Sequence, residues 1–564
     1  MKNQFIQNLV SRMSKEQKIG ALLTLGLAGT MVRPHIYDAI LKYHVGGLRL
    51  SPGSRLFGSY VDPKSGQTVV DVTDSKGYKK GLPPPALSPS QYAHMLEELS
   101  ATAASRPLGL PLHFSFDQEG GTSADFNFGG VNIFPKPMGL RATGDKNLAY
   151  AAARAIARQS KAVGFSWIHS PVLDVNVNPE NPEVYTRAYS DIAEEVAEYA
   201  IKTCEGFKEG KMIATGKHFP GRGDSAVDAH FEMPVIKADR ETMMSRELLP
   251  YRELIKRDLL PSIMIAHSIF PAFDDVDIAT VSKKILTGLL RDTLGFDGVI
   301  TTDSMTMGGV ALRYGIANAC AMALEAGADL VLMKAENSLV GETFNKIKEF
   351  VDTGRISEAD LDQKVYRVLK VKYDNGLFTP STREDPEAVL NDPGIIALSK
   401  NIAKRSVLTH KGRDLPVQKT GKILVVEQIN NTPNNYYWHP GILYKNCLKH
   451  YKNIDYLETA YTFDESDREH ILQSIADYDT VIITNFYIRG KLANNRFIEE
   501  LLAKNSSAKI IVITNTPYPI SVPKNCPNLI ISFATSHDNM EVCAGVLFGE
   551  THAEGIWPIA WKDI

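Results

Sequence analysis

The sequence lacks the cysteine and histidine patterns of a disulfide-bonded or metal-binding protein. Its five cysteines are widely spaced, odd in number and without a C-x-x-C pair, which argues against a disulfide framework and a zinc knuckle. We expect all five to be buried as small apolar side chains. The motif H-E-x-x-H is absent, and the spacing of His218 and His230 fits no helical pair of ligands. The sequence therefore predicts no metal and no cofactor.

Long apolar runs and an excess of charge are missing as well. No stretch of about 18 apolar residues occurs, and the N-terminus has no apolar segment of the length that a secretory leader needs. We expect a cytoplasmic chain without a membrane partner, although an exported chain that had lost its leader would look the same. The net charge is -3, with lysine and arginine scattered, so we expect no nucleic-acid partner. Nothing in the sequence indicates an oligomeric state.

The length and the pattern of apolar runs predict an α/β protein of more than one domain. A chain of 564 residues exceeds the roughly 250–300 residues at which single hydrophobic cores stop growing. In residues 1–380, short β-rich runs alternate with longer segments of helical period, which is typical of a (β/α)8 TIM-type barrel. Seven runs predict its strands, at 45–50, 112–117, 165–171, 212–219, 261–267, 298–304 and 328–333.

A second alternating set of runs follows the predicted barrel. Residues 381–420 contain many turn formers and charges, and we assign them to a linker with a connecting helix. Residues 421–564 then predict a smaller, doubly wound αβα sandwich domain. No G-x-G-x-x-G follows any of its strands, so we expect no nucleotide site there. The strand runs of this domain are 422–428, 479–487, 509–517 and 528–535.

Polar side chains stand where the predicted barrel strands end. In a (β/α)8 barrel, the carboxyl ends of all strands open into one mouth, which holds the active site. Residues at these ends should therefore converge on one pocket. The residues are Asp117, His169, Lys217, His218, His267 and Asp303.

The densest polar segment is KHFPGRGDSAVDAHFEMP, which begins at Lys217. It presents Asp228 and His230 two residues apart on a loop. A carboxylate so close to an imidazole suits a dyad, since the anion fixes the tautomer and raises the basicity of the ring. The spacing alone favours the alternative, a solvated loop in which the two side chains never meet.

Asp303 ends the apolar run GVITTDS. A carboxylate at this place can attack an anomeric carbon and form the covalent intermediate of a retaining glycosidase. It can equally be the N-cap of the following helix. Asp117, in FSFDQEGG, has the same two readings, as a cap or as an acceptor of hydroxyl groups.

Four motifs together resemble one enzyme family. KHFPGRGD with the following DAH, DQEGG, NPENPEVYTRAYS and GVITTDSM occur in this order. They are similar to the β-N-acetylglucosaminidase branch of glycoside hydrolase family 3. The resemblance covers the barrel through about residue 375. It continues more weakly into the second domain, a sandwich of the kind that many members of the family carry.

The resemblance implies a role for seven residues of this chain. Asp303 matches the catalytic nucleophile, and His230 with Asp228 matches the dyad that replaces an acid/base glutamate in this branch. The residues that match the family's sugar-binding positions are Asp117, Arg187, Lys217 and His218. Carboxylates and cationic donors of this kind can orient a polyol.

Several positions depart from the family pattern. Arg222 stands where the family commonly has histidine, and Ala229 where it has serine or threonine. Thr122 and Asp125 occupy places where many relatives have arginine. Residues 52–89 resemble an insertion on the mouth side. These departures affect the aglycone and the finer sugar preference, not the nucleophile or the dyad.

The sequence thus predicts a retaining, exo-acting β-N-acetylhexosaminidase. Its substrate would be an oligosaccharide or a cell-wall glycan fragment with a terminal β-linked N-acetylglucosamine or related hexosamine. Two alternatives remain open at this point. A histidine dyad repels an anionic acceptor less than a glutamate does, which is compatible with a β-N-acetylglucosaminide phosphorylase. The second alternative is a sugar-binding protein of the same fold without activity.

Overall fold

The structure is a computed structural model that describes the greater part of both predicted domains. The described residues are 2–30, 32–52, 59–61, 68–70, 87–228, 233–334, 339–379, 383–428, 441–489, 494–504 and 507–562. Within these ranges, no helix is long and apolar enough to cross a membrane. The predicted insertion at 52–89 falls mostly outside them, apart from the strands Ser59–Val61 and Thr68–Val70, which pair with each other.

Eight parallel strands close into a barrel, which confirms the predicted fold class. Each strand pairs with its neighbours in sequence, and the eighth closes the ring against the first. The strands are β1 (Leu23–Ala28), β2 (Gly47–Ser51), β3 (His113–Phe116), β4 (Trp167–Ile168), β5 (Ile213–Phe219), β6 (Ser262–Ile265), β7 (Val299–Ser304) and β8 (Leu330–Met333).

The first strand is the barrel element that the sequence does not reveal. A capping box between Ser14 and Gln17 opens the helix Lys15–Ala21, as predicted, but the same apolar run continues directly into β1. This strand is buried except at Ala28 and pairs with β2 and β8. A continuous apolar sequence is compatible with a helix and with a strand that is buried on both faces. Only the pairing with β2 and β8 shows that this segment is a strand.

Helices cover the outside of the barrel and pack against one another around it. Lys146–Val163 lies so close to Ala193–Glu209 that a Cβ on Gly206 would be 2.4 Å from the carbonyl oxygen of Tyr150. Glycine therefore permits this contact. The longer helices of this part are Lys2–Ser11, Lys15–Ala21, Pro34–Leu41, Pro89–Ala104, Pro137–Ala142, Lys146–Val163, Ala193–Glu209, Leu249–Lys256, Lys284–Thr293, Gly308–Tyr314, Ile316–Ala326, Leu339–Asp352 and Glu358–Asp374.

The second domain is a six-stranded sheet with a hydrophobic core on each face. Leu424 and Val426 of one strand enter the first core, and Ile423 and Val425 enter the second, because alternate side chains of a strand point to opposite faces. The strands are β9 (Leu408–Gly412), β10 (Ile423–Gln428), β11 (Ile454–Thr459), β12 (Thr480–Thr484), β13 (Lys509–Thr514) and β14 (Asn528–Ile531).

These strands lie in the order β9, β14, β13, β12, β10, β11, and only β9 is antiparallel to its neighbour. The sheet therefore begins inside residues 381–420, which the sequence assigns to a linker, because β9 contributes a strand to its edge. The helices of this part are Pro386–Leu390, Pro393–Ser406, Ile442–Cys447, Glu465–Ser474, Asn495–Ala503 and His537–Leu547. The exact division into domains stays a prediction.

The two domains share a hydrophobic cluster. Met138, Ala142 and Tyr185 of the barrel part pack into one core of the sandwich. Polar contacts add to it, since Asp191 accepts hydrogen bonds from the backbone N–H groups of Ala560 (2.7 Å) and Trp561 (3.0 Å). The sandwich thus rests on the segment around Tyr185, close to the barrel mouth. All five cysteines are buried and unpaired with one another, as predicted.

Candidate active site

Charged side chains from different strands meet at the carboxyl end of the barrel. Lys217, in β5, lies between two carboxylates: its Nζ is 2.9 Å from Asp117 Oδ1 and 2.6 Å from Glu119 Oε1. Lys217 and Glu119 are buried, whereas the Asp117 side chain is 27% exposed. The structure therefore brings two of the predicted site residues together, with one carboxylate open to the mouth.

This cluster stays ionised despite its burial. Burial would raise the pKa of Glu119, but Arg187 and Lys217 outweigh it and lower that pKa to about 2. Burial likewise opposes ionisation of Asp117, yet Lys217 and Arg49 hold its pKa well below the usual value. Burial lowers the pKa of Lys217, and the attraction of Asp117 and Glu119 more than reverses this. Each charge is retained because its neighbours carry the opposite sign.

Arg187 joins the same cluster from a different element. It ends the short helix Tyr185–Arg187, and its Nε and Nη2 donate to the two oxygens of Glu119 at 2.7 and 2.9 Å. Such a bidentate pair fixes the guanidinium plane. Nη2 also lies 3.5 Å from His218 Nε2. All four residues predicted to bind sugar hydroxyls therefore belong to one contiguous group.

His218 forms a buried pair with Asp174. Its Nδ1 is 2.7 Å from Asp174 Oδ2, and both side chains are almost fully buried. Burial, followed by the charges of Arg222 and Arg187, lowers the pKa of His218 well below its ordinary value. The neutral form of the ring fits these contacts, because its Nδ1–H can donate to Asp174 while Nε2 accepts from Arg187 Nη2. Asp174 is a partner that the sequence does not predict.

Arg49, in β2, is a second unpredicted member of the site. Its guanidinium pairs with Asp117 and lies 2.8 Å from Asp125 Oδ2. Asp125, a departure from the family pattern, therefore binds a cation that comes from another strand. His169 Nδ1 is 3.4 Å from Asp117 Oδ1 on the remaining side. These contacts hold Asp117 in one orientation.

Asp303 lies near the end of β7 with a side chain that is 16% exposed. Its Oδ1 accepts a hydrogen bond from the backbone N–H of Ser304 at 2.7 Å. The next helix begins only at Gly308, with Met307 at its N-cap. The alternative that Asp303 caps this helix is therefore wrong, and the partly exposed carboxylate lies at the mouth of the barrel.

A buried arginine stands beside Asp303. Arg222 Nη2 lies 3.9 Å from Asp303 Oδ2 and 2.9 Å from Glu183 Oε1, and the Arg222 side chain is almost fully buried. The contact with Glu183 lacks hydrogen-bond alignment, and among the described residues none of the three guanidinium nitrogens makes a hydrogen bond. The next residue, Gly223, admits no side chain, because a Cβ would be 1.7 Å from the carbonyl oxygen of Val175.

The predicted dyad is only partly covered by the structure. Asp228 is nearly buried, and its Oδ2 is 3.6 Å from Arg489 Nε, which belongs to the second domain. Ala229 and His230 lie outside the described residues. The contact between Asp228 and His230 and their roles stay predictions.

Five residues of the site escape prediction from the sequence. For two of them a local signal exists: Arg49 is a charge inside an apolar strand, and Glu119 stands two residues after the predicted Asp117 in DQEGG. The others are surrounded by ordinary loop sequence and reach the site only through the fold. They are Asp174, Glu183 and Arg489.

Glu247 is a buried carboxyl group whose ionisation should make the stability of the protein depend on pH. It is fully buried near Gly221, its Oε1 accepts from Arg246 Nε at 2.7 Å, and its Oε2 has no hydrogen bond among the described residues. Burial, opposed by Arg246, raises its pKa to about 7. Ionisation of Glu247 therefore destabilises the folded protein. This destabilisation is complete above pH 7 and disappears as the pH falls to the pKa of the unfolded chain, near 4.5.

We therefore expect Glu247→Gln to stabilise the protein at neutral pH. The difference in free energy of unfolding between the variant and the original chain should be about 3 kcal/mol more favourable to the variant at pH 8 than at pH 4.5. Urea unfolding at pH 4.5, 6, 7 and 8 measures this. Glu253→Gln, at a side chain that is 33% exposed and pairs with Arg257, serves as control, and a pH-independent difference for Glu247→Gln would contradict the expectation.

The chain matches a family model and is similar in sequence to known proteins. Residues 16–371 match the model of the "Glycosyl hydrolase family 3 N terminal domain". The chain is 29% identical over 303 residues to "Beta-hexosaminidase A" of Pseudoalteromonas piscicida, a match that covers 50% of this chain and 51% of that protein. It is 31% identical over 266 residues to "Beta-hexosaminidase" of Methylobacillus flagellatus, covering 46% and 74%.

A solved structure matches over both domains. The "glycoside hydrolase family 3 beta-N-acetylglucosaminidase" of Paenibacillus sp. str. FPU-7 superposes with a TM-score of 0.85 and 28% identity, covering 97% of this chain and 99% of that one. The sequence matches to the first curated relatives span only about half of their length. The structural match extends the similarity to the sandwich domain.

Proposed function

The chain belongs to glycosyl hydrolase family 3, and from this premise we propose that it is a retaining, exo-acting β-N-acetylhexosaminidase. Its substrate would carry a terminal β-linked N-acetylglucosamine or a related hexosamine, as in an oligosaccharide or a cell-wall fragment. The observation that carries the proposal is Asp303, a partly exposed carboxylate beside the buried charged cluster of the mouth. The names of the matched hexosaminidases support the choice of sugar.

The reaction would proceed by double displacement. Asp303 attacks the anomeric carbon while His230, oriented by Asp228, protonates the leaving oxygen. The glycosyl group is then bound covalently to Asp303. In the second step, the imidazole that has lost its proton activates a water molecule, which releases the sugar and restores the carboxylate. The two inversions at the anomeric carbon leave its configuration unchanged.

The charged cluster would hold the sugar for this attack. Asp117 is the partly exposed carboxylate and accepts hydrogen bonds from sugar hydroxyl groups, while Lys217, 2.9 Å from it, supplies the opposite charge. His218 Nε2 and Arg187 line the adjacent side. Because Arg49, Glu119 and Asp174 fix these groups before substrate arrives, little reorganisation is needed on binding.

Phosphorolysis is the second candidate, and one observation favours it. Arg222 is a buried cation 3.9 Å from Asp303, and its guanidinium has hydrogen-bond donors to spare among the described residues. Such a group can attract an anionic acceptor toward the glycosyl intermediate. Phosphate would then take the place of water in the second step and yield a sugar 1-phosphate.

One experiment tests these candidates. The protein is incubated with the 4-nitrophenyl β-glycosides of N-acetylglucosamine and glucose, each with and without phosphate. We expect free N-acetylglucosamine as the product, and a kcat/KM at least about tenfold above that for the glucoside, because a site that binds the acetamido group rejects the analogue without it. A sugar 1-phosphate as main product would establish the phosphorylase instead. Sugar binding without turnover would favour the non-catalytic reading.

A further inference from the structure

The loop that follows β12 is fixed in place by polar side chains of the sandwich domain. The backbone N–H of Phe486 donates to Gln428 Oε1 at 2.6 Å, and that of Tyr487 donates to Asn515 Oδ1 at 2.9 Å. Asn515 Nδ2 donates back to the Tyr487 carbonyl at 2.9 Å. In open α/β sheets, loops at this place, where the strand order reverses, are where ligands bind. Here the loop is directed toward the barrel.

Tyr487 anchors this loop on the barrel. The ring is buried and meets Tyr185 edge to face, with 5.1 Å between centroids and 89° between planes. The hydroxyl donates to the carbonyl oxygen of Pro182 at 2.7 Å. The segment that it touches also carries Glu183 and Arg187. The second domain therefore supports the same stretch of chain that supplies two charged groups to the mouth.

Arg489, two residues further, extends from the loop to two carboxylates of the barrel. Its Nη1 is 3.4 Å from Glu183 Oε1, and its Nε is 3.6 Å from Asp228 Oδ2. The side chains of Glu183 and Asp228 are only 1% and 6% exposed. Exposed ion pairs contribute little, but these two anions are withdrawn from water, so a cation between them matters to both.

Glu183 and Asp228 connect Arg489 to two different parts of the site, the surroundings of Asp303 and the predicted dyad. Glu183 is 2.9 Å from Arg222, which is 3.9 Å from Asp303. Asp228 stands two residues before His230. A carboxylate can orient an imidazole only if its own rotamer is held, and a cation that spans two fixed anions holds it.

We propose that Arg489 of the sandwich domain is a positioning residue of the barrel site, which orients Asp228 for the acid/base step and ties that step to domain docking. This inference rests on the proposed function. It assigns the second domain a part in catalysis without contact between Arg489 and the reacting atoms. The orientation of Asp228 then depends on a residue from outside the barrel.

The test compares Arg489→Gln and Arg489→Lys on two substrates. 4-Nitrophenyl N-acetyl-β-D-glucosaminide has a leaving group that departs without a proton, whereas N,N′-diacetylchitobiose needs one. For Arg489→Gln we expect kcat/KM to fall about tenfold or more on chitobiose and much less on the nitrophenyl glycoside, because general acid catalysis contributes about 10²–10⁴-fold only where it is needed. Arg489→Lys should restore a large part of the loss.

Two matched variants separate this role from a structural one. Arg496→Gln removes a 95% exposed arginine of the same domain and should leave both activities unchanged. Tyr487→Phe removes the hydrogen bond to Pro182 and should lower the midpoint of thermal unfolding without changing the ratio of the two activities.

Equal losses of Arg489→Gln on both substrates, or no loss on either, would overturn the inference. So would a Tyr487→Phe variant that changes the ratio as much as Arg489→Gln, since docking alone would then account for it. If the original protein cleaves neither substrate, the proposed function itself fails, which is a different result.

Discussion

Asp303→Ala is expected to lower kcat on 4-nitrophenyl N-acetyl-β-D-glucosaminide by about 10⁴-fold or more. The substitution removes the atom that forms the bond to the anomeric carbon, and the remaining hydrogen-bonding groups cannot replace it. The fold should be retained, because the side chain is partly exposed and its Oδ1 accepts a hydrogen bond from the adjacent backbone N–H of Ser304. Steady-state kinetics and thermal unfolding measure the two effects.

Azide distinguishes a lost nucleophile from a damaged site. In Asp303→Ala, azide can enter the vacated space and attack the anomeric carbon once, so the product should be an α-glycosyl azide. Asp297→Ala, at an exposed aspartate just before the amino end of β7, is the control and should behave as the original chain. Unchanged activity of Asp303→Ala, or a β-glycosyl azide, would contradict the assignment.

Lys217→Met is expected to reduce both activity and stability. The variant keeps an unbranched side chain that is one atom shorter, but it leaves Asp117 and Glu119 without their shared cation. Breaking a buried ion pair on one side costs about 3–5 kcal/mol of stability, and the displaced Asp117 should lower kcat/KM by roughly 10²–10³-fold. Urea unfolding and steady-state kinetics measure the two losses.

The pH dependence of this loss identifies its cause. The low pKa of Glu119, about 2, gives a stabilisation that is complete above the unfolded value near 4.5 and is lost as the pH falls toward 2. The stability deficit of Lys217→Met should therefore be largest at neutral pH and shrink below pH 4.5. Lys256→Met, on the exposed face of a barrel helix, should show no deficit. A deficit that is constant with pH would mean lost packing rather than lost charge.

Several of the predicted site residues lie together where strand ends determine their place. Asp117, Lys217 and His218 follow or end barrel strands, so the parallel arrangement by itself brings them to one mouth. Arg187 was assigned from a motif, and it joins them through Glu119. Their functional roles stay predictions, as does the contact between Asp228 and His230.

The residues that the sequence did not reveal depend on contacts between distant segments. Glu183 pairs with Arg222 and with Arg489, which are 39 and 306 positions away in the chain. Nothing local marks a glutamate in NPENPEV as a buried partner of several cations. Only the folded chain defines its partners, because ion pairs form between side chains that the backbone brings together, whatever their separation in sequence.

The sequence by itself determined the repeating strands and helices, and hence the barrel, since alternating apolar runs of two periods have few other solutions. It also placed the carboxylate of Asp303 at the barrel mouth. The tertiary structure decided that β1 is a strand, that β9 joins the second sheet, and that Arg489 contacts the barrel site. These three depend on pairing and docking between segments far apart in the chain, which local sequence does not encode.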